Sequence, residues 1–203
     1  MSEEIHRSGI VVCGGESERF GDREKAFVEL EGEPLVRHVT DGVATVVDEV
    51  VLNCHPRHRE RFDRVCDGER VTIAEDDRPG EGPLPGIRRG LTEAGGEYAV
   101  VVACDMPFVD PGFLAFLFER AGQVEAAIPR VRDGWYQPLQ AVYAVDPFVA
   151  AIDDALAAGV DRPIEPALEL DHVVVWNSTA VASEATFFNV NTPDELSEAA
   201  ERI

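Results

Sequence analysis

One lysine stands among 17 arginines in this chain, and its position is suited to phosphate chemistry. Lys25 follows a glycine-containing segment, residues 14–21, which also carries Arg19. An ammonium group on a flexible stem binds phosphate as a point charge, and glycine turns present backbone N–H groups to anions. The segment follows an apolar run over 9–13 that is typical of a buried parallel strand. Strand, glycine turn and basic residues, in this order, predict a phosphate-binding site.

Polar side chains also stand at the ends of three further predicted strands. Asn53 ends the second strand, Asp76 follows the third and Asp105 follows the fourth. Ligands of open α/β sheets bind outside the carboxyl ends of the strands, so one shared site is expected. A carboxylate at position 105 is suited to hold a divalent cation against phosphates. From the residues alone, a turn or capping role for Asp105 and a solvated-loop role for Asp76 stay open.

Apolar runs that alternate with helical patterns predict the elements that position these residues. In the first half, strands are predicted over 9–13, 49–54, 71–74 and 98–104, and helices at about 34–46, 56–66 and 85–95. In the second half, helices are predicted at about 110–121 and 146–158, strands near 126–129, 137–144 and 172–176, and a terminal helix behind a capping box of Thr192 and Glu195. The alternation predicts an α/β fold, a single domain over 1–203 with a mostly parallel, Rossmann-like sheet and helices on both faces.

The excess of acidic residues limits the kinds of ligand and partner that the chain is expected to bind. The chain has 39 Asp and Glu against 18 Lys and Arg, a formal net charge of −21. Nucleic acid and anionic membranes are not expected partners, because both would be repelled. A nucleotide is an anion too, and a divalent cation held by an acid would reconcile its binding with this charge. Many acids and few lysines also predict a halophilic protein, because concentrated salt screens self-repulsion.

Other features of the sequence favour a cytoplasmic protein and disfavour several enzyme classes. No signal segment or membrane-length apolar run occurs, and the four cysteines have core-like rather than metal-ligand spacing. The glycines match neither a dinucleotide-binding nor a Walker A motif, which disfavours a nicotinamide-dependent oxidoreductase. The five histidines form no hydrolase motif and are expected in solvent or in the core. A non-catalytic nucleotide-binding module remains an alternative. The presence of Asp105 counts against it, because a protein that only binds a nucleotide would not need a carboxylate for the metal.

Five segments, taken together, resemble the molybdenum cofactor guanylyltransferases. They are residues 12–25, 82–87, 103–108, 137–139 and 188–196. The first is shared by many nucleotidyltransferases, whereas the Asn-Val-Asn-Thr-Pro run in the last is more diagnostic. The resemblance spans residues 9 to about 198. It implies a nucleotide-diphospho-sugar transferase-like fold and an Mg²⁺-dependent transfer of GMP from GTP to molybdopterin cofactor, with release of pyrophosphate.

The resemblance also implies a role for each matching residue. Backbone groups of Val12, Cys13 and Gly14 would contact the nucleotide, which Asn53 and Asp76 would help to hold, and the 82–86 loop would border the base. Lys25 and Arg19 would bind and neutralise phosphate, and Asp105 would coordinate Mg²⁺. Asn189 and Asn191 would lie toward the pterin. The attacking phosphate is already ionised at neutral pH, so no general base is expected. Catalysis would depend on positioning and on charge neutralisation.

Three residues depart from the family pattern. Cys13, Phe20 and Glu24 stand where alanine, methionine and aspartate are usual. These changes bear on the subfamily rather than on the chemistry. Base contacts around 12–14 and 82–87 are not resolved by the pattern, so a molybdopterin cytidylyltransferase and a cobamide-precursor guanylyltransferase remain alternatives. Transient contacts with proteins that deliver or accept the cofactor are also expected.

Overall fold

The computed structural model describes residues 6–14, 24–68, 70–176 and 182–203. The strands are β1 (Arg7–Cys13), β2 (Glu29–Leu30), β3 (Glu33–Pro34), β4 (Glu49–Cys54), β5 (Val71–Glu75), β6 (Tyr98–Ala103), β7 (Ala126–Arg130), β8 (Gln140–Ala144) and β9 (His172–Trp176). The α-helices are α1 (Leu35–Ala44), α2 (Arg59–Val65), α3 (Pro83–Glu93), α4 (Pro111–Ala121), α5 (Val145–Ala157), α6 (Ile164–Glu169) and α7 (Pro193–Ala200). Short 3-10 helices cover Lys25–Phe27, Pro56–His58 and Glu184–Phe187.

The described strands form a seven-stranded sheet in the order β5-β4-β1-β6-β8-β7-β9 and a separate β2-β3 hairpin. Strands β5, β4, β1 and β6 pair in parallel, and β7 and β9 also pair in parallel. Strand β8 runs antiparallel to both β6 and β7. Because β8 is antiparallel to both of its neighbours, β7 and β9 run in the same direction as β6. They therefore end at the same edge of the sheet as the other parallel strands. The mostly parallel sheet predicted from the sequence is confirmed.

Apolar side chains fill a core on each face of the sheet. On one face, Phe62 of α2 and Phe113 of α4 pack with Val39 of α1 against the strands. On the other face, Ile87 of α3 and Phe148 of α5 belong to the corresponding cluster, which also includes α6. A third cluster joins the β2-β3 hairpin to α7. Helices therefore cover both faces, as the alternating pattern predicts.

Some element boundaries differ from the prediction. The predicted helix over 56–66 begins as a 3-10 turn before α2, and the predicted strand over 137–144 begins only at Gln140. The hairpin and α6 were not predicted, because such short elements carry too few residues for a periodic pattern. At α7, Glu195 N donates to Thr192 Oγ1, whereas the Glu195 carboxylate accepts from Asn191 N and not from the cap residue itself.

Two predictions about the environment of the chain can be compared with the structure. All four cysteines are free and buried, as expected of small core residues, and burial raises the pKa of Cys66 to about 11. Within the described ranges, no helix has the length and apolar character needed to cross a membrane.

Candidate active site

The side chain of Lys25 joins two loops at the carboxyl edge of the sheet. Its Nζ donates to Asp105 Oδ2 at 2.5 Å and to Asn191 Oδ1 at 2.8 Å. Asp105 follows β6 and Asn191 precedes α7, so these contacts join segments 80 and 166 residues away from Lys25. The side chains of Lys25 and Asp105 are 21% and 12% exposed, which limits the screening of their ion pair by water. Two of the three predicted catalytic residues, Lys25 and Asp105, thus lie in direct contact, with Asn191 as a further member of the cluster.

The second carboxylate oxygen of Asp105 receives no hydrogen bond from the described residues. Oδ1 is buried and has no hydrogen-bonding partner among the described residues. Such a group lowers stability by about 1–3 kcal/mol unless a ligand or water satisfies it. The Asp105 loop is itself fixed, because Val190 N donates to the Asp105 carbonyl at 2.9 Å. A hard cation such as Mg²⁺ fits this oxygen, since Mg²⁺ is often held by one carboxylate together with substrate phosphates.

The surrounding donors agree with a cation that shares its ligands with a substrate. Within the described part of the chain, no group of three or more His, Cys, Asp or Glu side chains could hold a metal ion. A cation on Asp105 would complete its coordination with other ligands, such as substrate phosphate oxygens and water.

Asn53 carries a second polar atom at this edge that receives no hydrogen bond from the described residues. The residue is fully buried in β4, and its Nδ2 donates to the Ala74 carbonyl at 3.2 Å. Oδ1 accepts no hydrogen bond from any described residue. Gly86 in the first turns of α3 passes so close that a Cβ there would lie 2.3 Å from this oxygen. Glycine at position 86 is thus required for the helix to approach the amide.

A cavity of about 350 Å³ opens beside the ends of β1 and β5. Its walls are Cys13, Gly14, Glu24, His55, Arg57, Asp76, Pro79, Gly80, Gly82 and Pro83. Asp76 is held in its turn because its Oδ1 accepts from Arg78 N at 2.9 Å. A Cβ at Gly14 would lie 3.8 Å from both Asn53 Oδ1 and Asp76 Oδ2, so these three predicted residues converge. The volume is in the range of small-molecule pockets.

Sequence reasoning missed the polar residues that follow β4. His55 lines the cavity, and His58 Nε2 lies 3.2 Å from Glu24 Oε2 and accepts from Arg57 Nε at 2.8 Å. Burial raises the pKa of Glu24, and burial followed by the Arg57 charge lowers the pKa of His58. Both shifts favour the neutral forms. The signal was the dense run of basic and histidine residues over 55–59, directly after β4.

The remaining predicted residues are not part of the cluster formed by Lys25, Asp105 and Asn191. Val12 and Cys13 are buried at the end of β1. The Val12 carbonyl accepts a hydrogen bond from Cys104 N at 3.1 Å, so this oxygen is already paired within the protein. Asn189 does not contact the lysine in the same way as Asn191, since its Nδ2 donates to the Phe187 carbonyl at 3.1 Å. Arg19 lies outside the described residues.

Comparison with known families accounts for this arrangement. The MobA-like NTP transferase domain matches residues 9–173. The chain belongs to this family. One relative of this MobA-like transferase is a "Probable molybdenum cofactor guanylyltransferase" of Natronomonas pharaonis, 42% identical over 199 residues that cover 97% of this chain and 98% of the relative. Another is a "Molybdenum cofactor guanylyltransferase" of Pseudomonas entomophila, 34% identical over 92% of this chain and 94% of the relative.

Solved structures support the same fold for the MobA-like transferase. The molybdopterin-guanine dinucleotide biosynthesis protein A of Archaeoglobus fulgidus superposes with a TM-score of 0.78, is 28% identical, and matches over 96% of this chain and 97% of its own. A 4-diphosphocytidyl-2C-methyl-D-erythritol synthase of Anaerococcus prevotii reaches a TM-score of 0.76 over 98% and 96% of the two chains at 14% identity. At that identity the second likeness shows the fold alone, which is that of the nucleotide-diphospho-sugar transferase type.

Proposed function

We propose that this MobA-like transferase is a molybdenum cofactor guanylyltransferase, which transfers GMP from GTP to molybdopterin cofactor and releases pyrophosphate. The observation that carries the proposal is the cluster of Lys25, Asp105 and Asn191, at the same sheet edge as the cavity that Cys13 and Gly14 line. Such a transfer needs a positive side chain for the phosphates, a carboxylate oxygen for a metal ion and a cavity for the nucleotide. Lys25, Asp105 Oδ1 and the 350 Å³ cavity would supply these three parts. The names of the full-length relatives support the choice of substrates.

The nucleotide would occupy the cavity between the end of β1 and the start of α3. Gly14 would let the nucleotide approach the backbone closely, and Asp76 would supply a fixed carboxylate acceptor. The open Oδ1 of Asn53 would accept a hydrogen bond from a donor on the ligand, which would remove the penalty of leaving it unpaired. Gly82, with φ of 86°, lets the chain turn into α3 beside the ligand.

The transfer itself would be an in-line displacement. A phosphate oxygen of the acceptor would form a bond to the α-phosphorus of GTP, while the bond from that phosphorus to the bridging oxygen of pyrophosphate breaks. Because the attacking phosphate is already ionised, no side chain has to remove a proton. Lys25 would neutralise charge that develops on the leaving group, and Arg19 would assist it. Positioning and preorganised charge would then account for the rate.

The second oxygen of Asp105 would anchor Mg²⁺. When bound, this cation neutralises phosphate charge and orients the phosphates for displacement. Lys25 contributes by fixing the carboxylate through Oδ2, which leaves Oδ1 available. The same cation would offset the repulsion between a nucleotide and a chain with net charge −21.

Calorimetry in concentrated KCl tests the nucleotide side of the proposal. GTP, CTP and ATP are titrated separately into the protein, with and without Mg²⁺. Selective, Mg²⁺-dependent binding of GTP is expected, and pyrophosphate release on addition of molybdopterin cofactor should follow. Preference for CTP would indicate a cytidylyltransferase instead. GTP turnover with a cobamide precursor but not with molybdopterin would move the assignment to the other guanylyltransferase. Binding without pyrophosphate release would indicate a nucleotide-binding module.

Concentrated salt is chosen because of the acidic surface. We expect the fold to weaken as KCl is removed, since 39 acids against 18 basic residues repel one another when screening falls. Circular dichroism across a KCl series measures this directly. Full stability in salt-free buffer would contradict the halophilic adaptation without touching the catalytic proposal.

A further inference from the structure

Three side chains form a row at the far side of the carboxyl edge, away from the nucleotide cavity. Arg130 ends β7, and its Cα partner on β9 is Trp176. Tyr136 pairs with Arg130 on the other side through an isolated antiparallel bridge. Residues that pair across neighbouring strands project to the same face. Trp176, Arg130 and Tyr136 therefore lie side by side, and this set is called the aromatic row.

The contacts within the aromatic row hold the arginine between two rings. The Arg130 guanidinium carbon lies 4.8 Å from the ring centre of Trp176 and 4.9 Å from that of Tyr136. Its Nε also donates to the Gly134 carbonyl at 2.7 Å. Tyr136 packs against the core of the α3-α5-α6 face, whereas Trp176 is 57% exposed. The row thus combines a fixed cation with a large aromatic surface that faces solvent.

The position of the aromatic row relative to the reacting centre is given by the sheet order. Strand β7 is two strands away from β6, and β9 is three strands away. With a strand spacing of about 4.8 Å, Arg130 stands roughly 10 Å and Trp176 roughly 15 Å from the line of β6, which Asp105 follows, and Tyr136 lies on the nearer side of Arg130. The nucleotide cavity lies on the opposite side, at the ends of β1 and β5. Asp105 therefore stands between the two.

This order agrees with the stereochemical demand of the reaction. In-line displacement places the attacking group opposite the leaving group, so the acceptor approaches the α-phosphorus along its own path. An acceptor whose phosphate reaches Asp105 can extend its other end over β8 toward β7 and β9. A fused heteroaromatic ring carried on a phosphorylated arm spans a distance of this order.

We propose that the aromatic row is the surface on which the planar ring of the phosphorylated acceptor stacks, with Trp176 as the stacking side chain and Arg130 as the cation beside it. This inference rests on the proposed function, which supplies an acceptor of that chemistry. A flat, polar heteroaromatic ring matches the row because it offers a face to the indole and carbonyl oxygens to the guanidinium.

The connection between β7 and β8 supplies a matched control for Trp176. Trp135 is 69% exposed and stands next to Tyr136, but neighbouring residues of a strand project to opposite faces. Its backbone pairs with Val131, whose N donates to the Trp135 carbonyl at 3.0 Å. Trp135 is therefore an exposed tryptophan close to the aromatic row that does not belong to it.

The test measures acceptor and nucleotide binding on the same proteins. Trp176→Ala, Trp176→Phe and Trp135→Ala are each titrated with 6-hydroxymethylpterin phosphate, followed by pterin fluorescence, and with Mg-GTP by calorimetry. Stacking on an aromatic side chain predicts that Trp176→Ala weakens pterin binding by about 5- to 100-fold, with most of the affinity kept by Trp176→Phe. Trp135→Ala is expected to bind the pterin like the wild type, and all variants to bind GTP alike. Circular dichroism melts check that each variant folds.

The outcomes separate this inference from the proposed function. If wild type binds the pterin phosphate through Trp176 but does not guanylylate molybdopterin, the aromatic row stands and the function fails. If wild type guanylylates molybdopterin while Trp176→Ala keeps the acceptor affinity and KM of wild type, the function stands and the row is overturned. A loss of GTP binding rather than pterin binding in Trp176→Ala, or equal losses in Trp176→Ala and Trp135→Ala, also overturns it.

Discussion

The two halves of the sheet position their polar groups by different means. In the parallel half, β5-β4-β1-β6, the functional groups stand at the ends of consecutive strands, and Asn53, Asp76 and Asp105 each come at the end of one. In the mixed half, β8-β7-β9, Arg130 and Trp176 meet through cross-strand pairing between segments that are distant in sequence. The first arrangement depends on topology alone, whereas the second depends on register. Under the two proposals above, the parallel half would hold the nucleotide and the mixed half would hold the acceptor.

The largest expected effect in the parallel half is that of Asp105→Asn. The amide keeps the size of the side chain but loses the negative charge that pairs with Lys25 and that would anchor Mg²⁺. Turnover should fall by about 10²–10³, the effect of removing one preorganised charge-stabilising group. Pyrophosphate release at saturating GTP and molybdopterin measures it. Near-normal turnover in the folded variant would mean that Asp105 has no role in the transfer.

The next effect concerns the close approach of α3 to β4. In Gly86→Ala the new methyl would meet Asn53 Oδ1 at 2.3 Å, so either the helix or the amide has to move. Overpacking of this kind lowers the free energy of unfolding by about 1–3 kcal/mol, and GTP affinity should fall with it. The control is Gly122→Ala, where the nearest atom lies 3.6 Å from the added Cβ. Urea unfolding and calorimetry measure both quantities, and equal behaviour of the two variants would contradict the close-approach argument.

A smaller effect distinguishes the two asparagines near the end of the chain. Asn191→Ala removes an acceptor from Lys25 Nζ, whereas Asn189→Ala removes only a donor to the Phe187 carbonyl. A hydrogen bond to a charged group contributes about 1.5–3 kcal/mol, so Asn191→Ala should reduce turnover by about 10-fold or more. Asn189→Ala should have a smaller effect on turnover. A larger kcat loss in Asn189→Ala than in Asn191→Ala would show that contact with Lys25 is not what matters.

The smallest effect is a pH dependence at Glu24. Burial raises the pKa of this carboxyl above its ordinary 4.5, so between the two values the folded protein binds more protons than the unfolded chain. Wild-type stability is therefore lost as the pH rises through this window. Gln does not titrate, so the free energy of unfolding of Glu24→Gln minus that of wild type should increase from pH 4.5 upward and then level off. Urea unfolding across pH 4–8 tests the sign, which a constant difference would refute.

The sequence predicts residues that are placed by the ends of strands, but not contacts between segments that are distant in sequence. Asn53, Asp76 and Asp105 were predictable because apolar runs locate strands and parallel strands end at one edge. The contact between Lys25 and Asn191 was not, since it joins residues 166 positions apart, and periodicity carries no information about such pairs. His55 and His58 were expected in solvent or in the core, because neither the approach of His58 to Glu24 nor the place of His55 in the cavity wall can be deduced from the sequence pattern.

The single lysine also makes the site chemically addressable. Along the whole chain, an amine-reactive reagent meets only one side-chain amine, and the structure places it between Asp105 and Asn191. A label attached to a lysine therefore reports on this one position, without any cysteine or engineered residue. Occupancy of the site can then be followed by mass spectrometry as protection of Lys25, with the α-amino group of the same molecule as an internal reference.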